Sequence, residues 1–551
     1  MNRSRPIPAT LARRPAPAAI RWRAAIALSA LLLTGACGGG GGGGAPPPTA
    51  SGLPDQTGCA FRYTLTSNPV LIGADPLLDA QWHLANTGQS GGIAGEDLRA
   101  RAAWAITRGE GARVAVIDDA IEIVHPDLVA NVVGAAGYNY RPAVLGNPYP
   151  LPCAADEDHG TAVAGVILAR DNNLTGGAGV APRAALVGYN PLSTGFSADI
   201  ADALGRGLSD TGIFNNSWGS PDDGTLHRVD ASFQSAIDRG TASGRGGRGA
   251  VYVFPAGNGG CYATRPGSGA CIGETAGMDG YLNHPGVMVA CTVDHRGRKP
   301  RYAETGANLL VCGPGSNDGA TASITTLAPQ GGFRSQFNGS SAAAPMVSGV
   351  AALMLAHNPL LTWRDVRLIL AQTARRNDAA DPGWVNGPAG LAHHPSYGFG
   401  VADAQAALAV ARNWPSVGGS ASLRSCGPYV RTPGLALPDV SGVGSITRED
   451  SLTVGAECPI SKIEYVEIDF SANHPYSGDL RIRLISPGGL VSELAAERVC
   501  EGVCGQYDGW RFGAVRHLNE SPGGTWRLQV TDAQAGDEGT WQAWGLRFQG
   551  R

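Results

Sequence analysis

Hydrophobic positions change texture along this chain. Uninterrupted apolar runs such as RVAVI at 113–117 and VYVFP at 251–255 predict strands buried on both faces, as in a parallel sheet covered by helices. The apolar stretch MVSGVAALML at 346–355 predicts a core helix of small residues. From roughly Ser425 the period becomes two. Leu480, Ile482 and Leu484 alternate with Arg481 and Arg483, and Trp526, Leu528, Val530 and Trp544, Leu546, Phe548 repeat the pattern, as half-buried strands of an antiparallel sandwich do. The predicted order is an α/β domain over 70–415, a Gly/Ser-rich linker over 416–424 and a β-sandwich over 425–551.

The first residues have a third texture. Arg13, Arg14, Arg21 and Arg23 precede the apolar stretch 24–33 and then Thr34-Gly35-Ala36-Cys37. A basic region followed by ten apolar residues reads as a secretory signal over 1–36, too short to span a bilayer. The glycine run 38–44 and three prolines follow, so 37–69 reads as a flexible tether and linker. The arrangement resembles a bacterial lipoprotein signal, which implies lipidation of Cys37. Thr34 stands where leucine is usual, and simple cleavage with release is the alternative. The expected location is the outer membrane, facing periplasm or cell surface, or the medium, with membrane contact only through Cys37.

Composition narrows the function. Among 551 residues, 80 are glycine, yet 43% are hydrophobic and 16% charged, which excludes wholesale disorder. Net charge of −4 excludes a nucleic-acid binder that works by neutralising phosphates. Setting Cys37 aside, ten of the 11 cysteines remain, an even number compatible with five disulfides outside the cytoplasm.

Four motifs carry chemistry. The strand at 113–117 delivers Asp118 to its end; Asp158-His159-Gly160-Thr161 puts a histidine at the head of a helix of small residues; Asn338-Gly339-Ser340-Ser341-Ala342 puts serines at another helix start. Alone, these read as a turn acid, a surface histidine and an N-cap. Together, in the chain order Asp, His, Ser, they resemble the subtilisin-like serine proteases. The resemblance implies Asp118, His159 and Ser341 as the triad, Ser340 being a decoy, and Asn258 of the string Ala256-Gly257-Asn258-Gly259 as the side-chain donor of the oxyanion hole. It also implies that Ser217, Trp218 and Gly219 form a strand pairing with an extended peptide.

Asp118-Asp119, Ser217-Trp218-Gly219-Ser220-Pro221-Asp222 and Met278-Asp279-Gly280-Tyr281 resemble the kexin and furin branch of that family. There, acids matching Asp222 and Asp279 face the basic residue at the cleaved bond, and acids matching Asp119 and Asp156 face the residue before it. The implied activity is endoproteolysis of proteins or peptides after Arg or Lys, with a dibasic preference. A broad-specificity subtilisin is the alternative enzyme. An inactive binding or adhesion protein on the scaffold is the alternative of another class, opposed by the retention of Asp118, His159, Ser341 and Asn258. Two positions depart from the branch: Ala120 replaces a glycine, and Ile200 stands where relatives place a glutamate.

The same resemblance implies Ca²⁺ at two sites. One would use Asp75, Asp127, Asn173 and the carbonyls of Arg170, Thr175 and Gly177; the other Asp222, Glu274 and Glu304. The strings His474-Pro475-Tyr476-Ser477-Gly478-Asp479 and Gly524-Thr525-Trp526 resemble the jelly-roll-like P domain of kexin-like proteases. Only about thirty residues separate the glycine run from Asp75, where relatives carry a folding propeptide. Folding is therefore expected to use a separate chaperone or to proceed unaided.

Overall fold

A computed structural model describes residues 52–64 and 72–551, except 135, 262, 265–270, 320, 441–443 and 501–503. Cys37 and the signal lie outside the described residues. A six-stranded sheet holds the first domain: β1 (Arg113–Ile117), β2 (Ala185–Tyr189), β3 (Ile213–Asn216), β4 (Val251–Pro255), β5 (Val287–Val293) and β6 (Leu309–Pro314). Every pairing is parallel, in the order β2-β1-β3-β4-β5-β6. Nearly every residue of these strands is buried, because helices cover both faces; this is why they read as continuous apolar runs.

Helices α1 (His159–Leu168), α2 (Ser197–Gly205), α3 (Ala231–Gly247), α4 (Ser340–His357), α5 (Trp363–Thr373) and α6 (Ala404–Ala411) surround the sheet. The predicted core helix at 346–355 is part of α4, apolar on all sides and buried, and its Ser348 hydroxyl donates to Asn215 Oδ1 on β3 at 2.8 Å. The chain runs outward from β1 to β2 and then returns to the other side of β1 as β3. Such a reversal opens a crevice at the carboxyl ends of the strands, where open α/β sheets bind ligands. Asp118 and Ser217 follow the two strands that flank it.

The second domain is the expected sandwich. One sheet pairs β9 (Arg424–Arg431), β16 (Gly539–Gly550), β11 (Ile463–Asn473) and β14 (Tyr507–Ala514), and the short strand Leu435–Leu437 adds to β16. The other runs β10 (Thr447–Val454), β15 (Gly524–Asp532), β12 (Leu480–Ile485), β13 (Val491–Ala495), and all these pairs are antiparallel. In the first domain an antiparallel hairpin pairs β7 (Ile324–Ala328) with β8 (Gly332–Phe337). Trp526, Trp541, Trp544 and Phe548 fill the space between the sheets.

The segment 416–424 is not a free spacer. Val417 N–H and Ser416 Oγ bond Asp365 at the start of α5, and Arg364 donates to the carbonyls of Val417, Gly418 and Gly419. All ten cysteines beyond Cys37 pair, as Cys59–Cys153, Cys261–Cys271, Cys291–Cys312, Cys426–Cys458 and Cys500–Cys504.

Candidate active site

Asp118 lies at the end of β1 and is buried, and its Oδ1 receives His159 Nδ1 at 2.8 Å. His159 is the first residue of α1, held from two sides: the Phe337 ring packs edge-on against the imidazole at 5.4 Å, and Asp119 accepts the His159 N–H at 3.2 Å. Burial lowers the histidine's proton affinity, but the charge and hydrogen bond of Asp118, with Asp119 and Asp158 nearby, overcome it and raise the pKa to about 9. Asp119 also receives the Gly160 N–H at 2.8 Å, so its carboxylate caps α1, where the helix dipole favours an anion. Burial and the neighbouring Asp118 raise its pKa to about 7.

Ser341 stands in the first turn of α4, half-buried, its hydroxyl donating to the Ser217 carbonyl at 3.1 Å. Ser340 is buried, and its N–H and hydroxyl both go to Asn258 Oδ1, at 2.8 and 3.1 Å. With its oxygen so engaged, Asn258 keeps its amide N–H groups for the cleft. Gly339 makes this approach tolerable: at φ +80° a Cβ there would be strained and would sit 3.0 Å from Asn258 Oδ1.

A cavity of about 80 Å³ opens beside Ser341, lined by Ser217, Trp218, Gly219, Asp222, Asn258 and Asp279 among others. Trp218 is fixed by its indole N–H to the Ile117 carbonyl at 2.9 Å and by edge contacts with Phe254 and Tyr281. Gly219 is required at the rim, since a Cβ would come within 2.7 Å of Asp279 Oδ2. The Asp279 carboxylate is held by the N–H and hydroxyl of Ser220, at 2.9 and 3.0 Å, and by the Tyr281 N–H. Burial raises its pKa despite these bonds. Ser220 had no signal of its own in the sequence.

Asp222, Glu274 and Glu304 offer oxygens all within 4.8 Å of one another. Glu274 and Glu304 are buried; burial and mutual repulsion raise Glu274 to about 8 and Glu304 well above the carboxylate range. Asp222 is exposed at its outer edge, but its carboxylate turns inward against Glu304, and burial raises it as well. The second domain reaches this cluster: Arg498 donates to the Gly224 carbonyl at 2.5 Å, while the Gly224 N–H donates to Glu274 Oε2 at 2.7 Å. Three carboxylates with no salt-bridge partner among the described residues fit a hard divalent cation.

The other acid set is also assembled. Asn173 Nδ2 donates to Asp127 Oδ1 at 2.7 Å, and Asp75 accepts the Asn172 and Asn173 N–H groups at 2.8 and 2.9 Å. Asp127 Oδ2 is buried without a close hydrogen-bond partner, and burial raises its pKa to about 8, so a cation fits there too. Arg170, Thr175 and Gly177 belong to the loop that carries Asn173; the Arg170 N–H bonds the Asp127 carbonyl and the Thr175 N–H bonds Asn173 Oδ1. Asp156 is exposed three residues before His159, and Ile200 points into the core.

The geometry has counterparts among known proteins. Residues 109–400 match the model of the subtilase family and residues 463–548 that of the proprotein convertase P-domain. The dibasic-processing endoprotease of Schizosaccharomyces pombe is 32% identical over 496 residues, which is 87% of this chain and 65% of that protein. Human neuroendocrine convertase 2 is 31% identical over 489 residues, 86% of this chain and 74% of its own. The chain thus spans just under two thirds of the first of these relatives. A crystal structure of a serine protease of Aeromonas sobria superposes with a TM-score of 0.77 at 26% identity, covering 88% of this chain and 97% of that one, and the same protease has been solved in complex with a chaperone. A carboxylate, imidazole and serine at the switch point of a parallel sheet, with an antiparallel sandwich behind it, therefore have one explanation: the chain belongs to the subtilase family of serine proteases and carries a proprotein convertase P-domain.

Proposed function

We propose that the chain is a calcium-dependent serine endopeptidase that cleaves after basic residues, preferring dibasic sites. The observation that carries this reading is the acid-lined cavity beside Ser341, in which Asp279 and Asp222 await a cation. An unpaired buried carboxylate is costly, so such a pocket favours Arg or Lys and rejects apolar side chains.

His159, its tautomer held by Asp118, takes the proton of Ser341 once the hydroxyl rotates from the Ser217 carbonyl to the imidazole. Ser341 Oγ attacks the peptide carbonyl. The developing oxyanion is received by the Asn258 side-chain amide and the Ser341 N–H. His159 then protonates the leaving amine, and a water activated by the same imidazole releases the acid from the acyl-enzyme. The segment 217–219 pairs with the substrate backbone, Trp218 fixing its position. Asp119 and Asp156 lie on the His159 side, toward the residue upstream of the cleaved one.

Asp222, Glu274 and Glu304 would hold one Ca²⁺, and Asp75, Asp127, Asn173 with the carbonyls of Arg170, Thr175 and Gly177 the other. The ion supplies positive charge that relieves repulsion between buried carboxylates. Export fits the five disulfides, and Cys37 is read as the lipid-bearing residue. The chaperone bound to the Aeromonas sobria protease supports a separate folding partner here.

Peptide-library cleavage by the purified protein, with and without calcium, tests the reading. Arg or Lys enriched at the cleaved position supports it; apolar enrichment leaves a broad-specificity subtilisin. Ser341→Ala is expected to abolish turnover by about 10⁶.

A further inference from the structure

The residues before the catalytic domain do not trail away from it. Gln56 brackets Tyr63, accepting its N–H at 2.6 Å and donating to its carbonyl at 3.1 Å, and Tyr63 is buried in the main core. This closes a turn over 56–63. Cys59, on that turn, is bonded to Cys153, and the Ala60 N–H donates to the Cys153 carbonyl at 2.7 Å.

Cys153 opens the loop that ends at His159. Glu157 Oε2 ties the loop from within, accepting the N–H groups of Cys153 and Ala154 and an Arg141 N–H, at 2.6, 2.9 and 2.5 Å. The far end is fixed by Arg334 on Asp158 at 2.9 Å and by Asp119 on the His159 N–H. Between these anchors one acid is left over. Asp156 is exposed and takes no hydrogen bond among the described residues. Three peptide units separate it from His159, so the two Cα atoms lie within roughly 11 Å.

We propose that the segment 52–64 is a specificity element of the cleft, in which the Cys59–Cys153 bridge positions Asp156 against a basic side chain on the residue upstream of the cleaved one. Cys59 and Cys153 are positioning residues: they touch neither substrate nor the reacting atoms. The inference rests on the reading of a basic-specific protease, and it places the upstream subsite on a loop covalently stapled to the segment that precedes the catalytic domain. Without the bridge, the loop keeps the Glu157 ties but loses its outer wall, and Asp156 spreads over many orientations.

The test uses two fluorogenic peptides, both with Arg at the cleaved position, that differ by Arg or norleucine one residue upstream. An exposed ion pair predicts that the full chain favours the Arg peptide in kcat/KM by roughly fivefold, chiefly through KM. Cys59→Ser/Cys153→Ser should bring that ratio to about one while the norleucine peptide is turned over as before. Asp156→Asn should likewise bring the ratio to about one, and all three substitutions together should lower the ratio no further, because the bridge acts through Asp156. If the double variant does not fold, Gln56→Ala, which keeps the bridge but frees the turn behind it, should lower the ratio in the same direction. A wild-type ratio in either variant, equal losses on both peptides, or additive losses in the triple variant would overturn the proposal. A third peptide with norleucine at the cleaved position keeps the readings apart: its rapid cleavage removes the acidic-pocket reading, whatever the upstream ratio shows.

Discussion

Ser340 donates its backbone N–H and its hydroxyl to a single atom, Oδ1 of Asn258, and so sets the orientation of the amide proposed to receive the oxyanion. Asn258→Ala is expected to lower kcat by about 10²–10³ with little change in KM, since the donor acts in the transition state. Ser340→Ala removes only one of two bonds to Oδ1; a net hydrogen bond of about 1 kcal/mol corresponds to about fivefold in kcat. Steady-state kinetics on one peptide separates the two. A Ser340→Ala variant as slow as Ser341→Ala would make Ser340 the nucleophile.

The pH profile reads the charge around His159. The imidazole must be neutral to accept the Ser341 proton, and its pKa is raised to about 9 as the charge and hydrogen bond of Asp118 outweigh desolvation. The acid limb of kcat/KM should therefore lie well above the ordinary histidine range, with activity rising as pH increases toward about 9. Asp119 contributes negative charge to the same imidazole. Asp119→Asn should move the limb to lower pH. A limb at or below 6.5 in the wild type would show that Asp118 does not hold the imidazolium as the geometry requires.

Cation removal should make stability fall as pH rises. Glu274 titrates at about 8 and Glu304 well above its ordinary range, both lifted by burial and by neighbouring carboxylates. Between about pH 4.5 and 8 the unfolded chain, whose carboxylates ionise normally, binds fewer protons than the cation-free native state, so native stability drops across that window. Calcium should reverse the drop and displace protons as it binds. Melting temperatures with chelator and with calcium, at pH 5 and pH 8, give the result: a calcium-dependent increase larger at pH 8. Equal increases at both values would count against a carboxylate site.

The elements that fold locally were legible in sequence. The buried strands read as apolar runs because both faces are covered, and the run at 113–117 leads directly to Asp118. The cysteine count predicted five bridges, but spacing alone did not reveal that Cys59 reaches across 94 residues to Cys153. Asp119 reads beside Asp118 as a substrate acid; that its carboxylate also accepts the N–H groups of His159 and Gly160 had no signal in the sequence. Nothing in the pattern announced Arg498 on Gly224, a contact 274 residues apart between two domains. The glycine-rich stretch 416–424 has the composition of a free linker, but composition is blind to Arg364, which needs the open carbonyls there.

That arginine also joins the two domains. Arg364 Nε and Nη2 meet both Glu464 oxygens at 2.8 and 2.6 Å, both side chains are buried, and Arg551 adds a third donor to Glu464 at 3.1 Å. Breaking a buried pair costs about 3–5 kcal/mol where the remaining charge is left unpaired, and Arg364→Ala leaves Glu464 with Arg551, so its cost lies toward the lower end. Arg364→Ala also removes one of the donors to the carbonyls of Val417, Gly418 and Gly419, so it should be at least as damaging as Glu464→Gln, which keeps a neutral acceptor for Arg364. Neither Arg364 nor Glu464 bonds any of the groups that take part in turnover. Both substitutions should therefore shift the urea midpoint strongly while leaving kcat near wild type at a temperature where the protein is folded. Urea unfolding followed by tryptophan fluorescence, with activity measured on the same samples, checks both halves. A midpoint unchanged by Arg364→Ala would mean that the domains are held together by the apolar contacts of the interface and that the buried pair contributes nothing net.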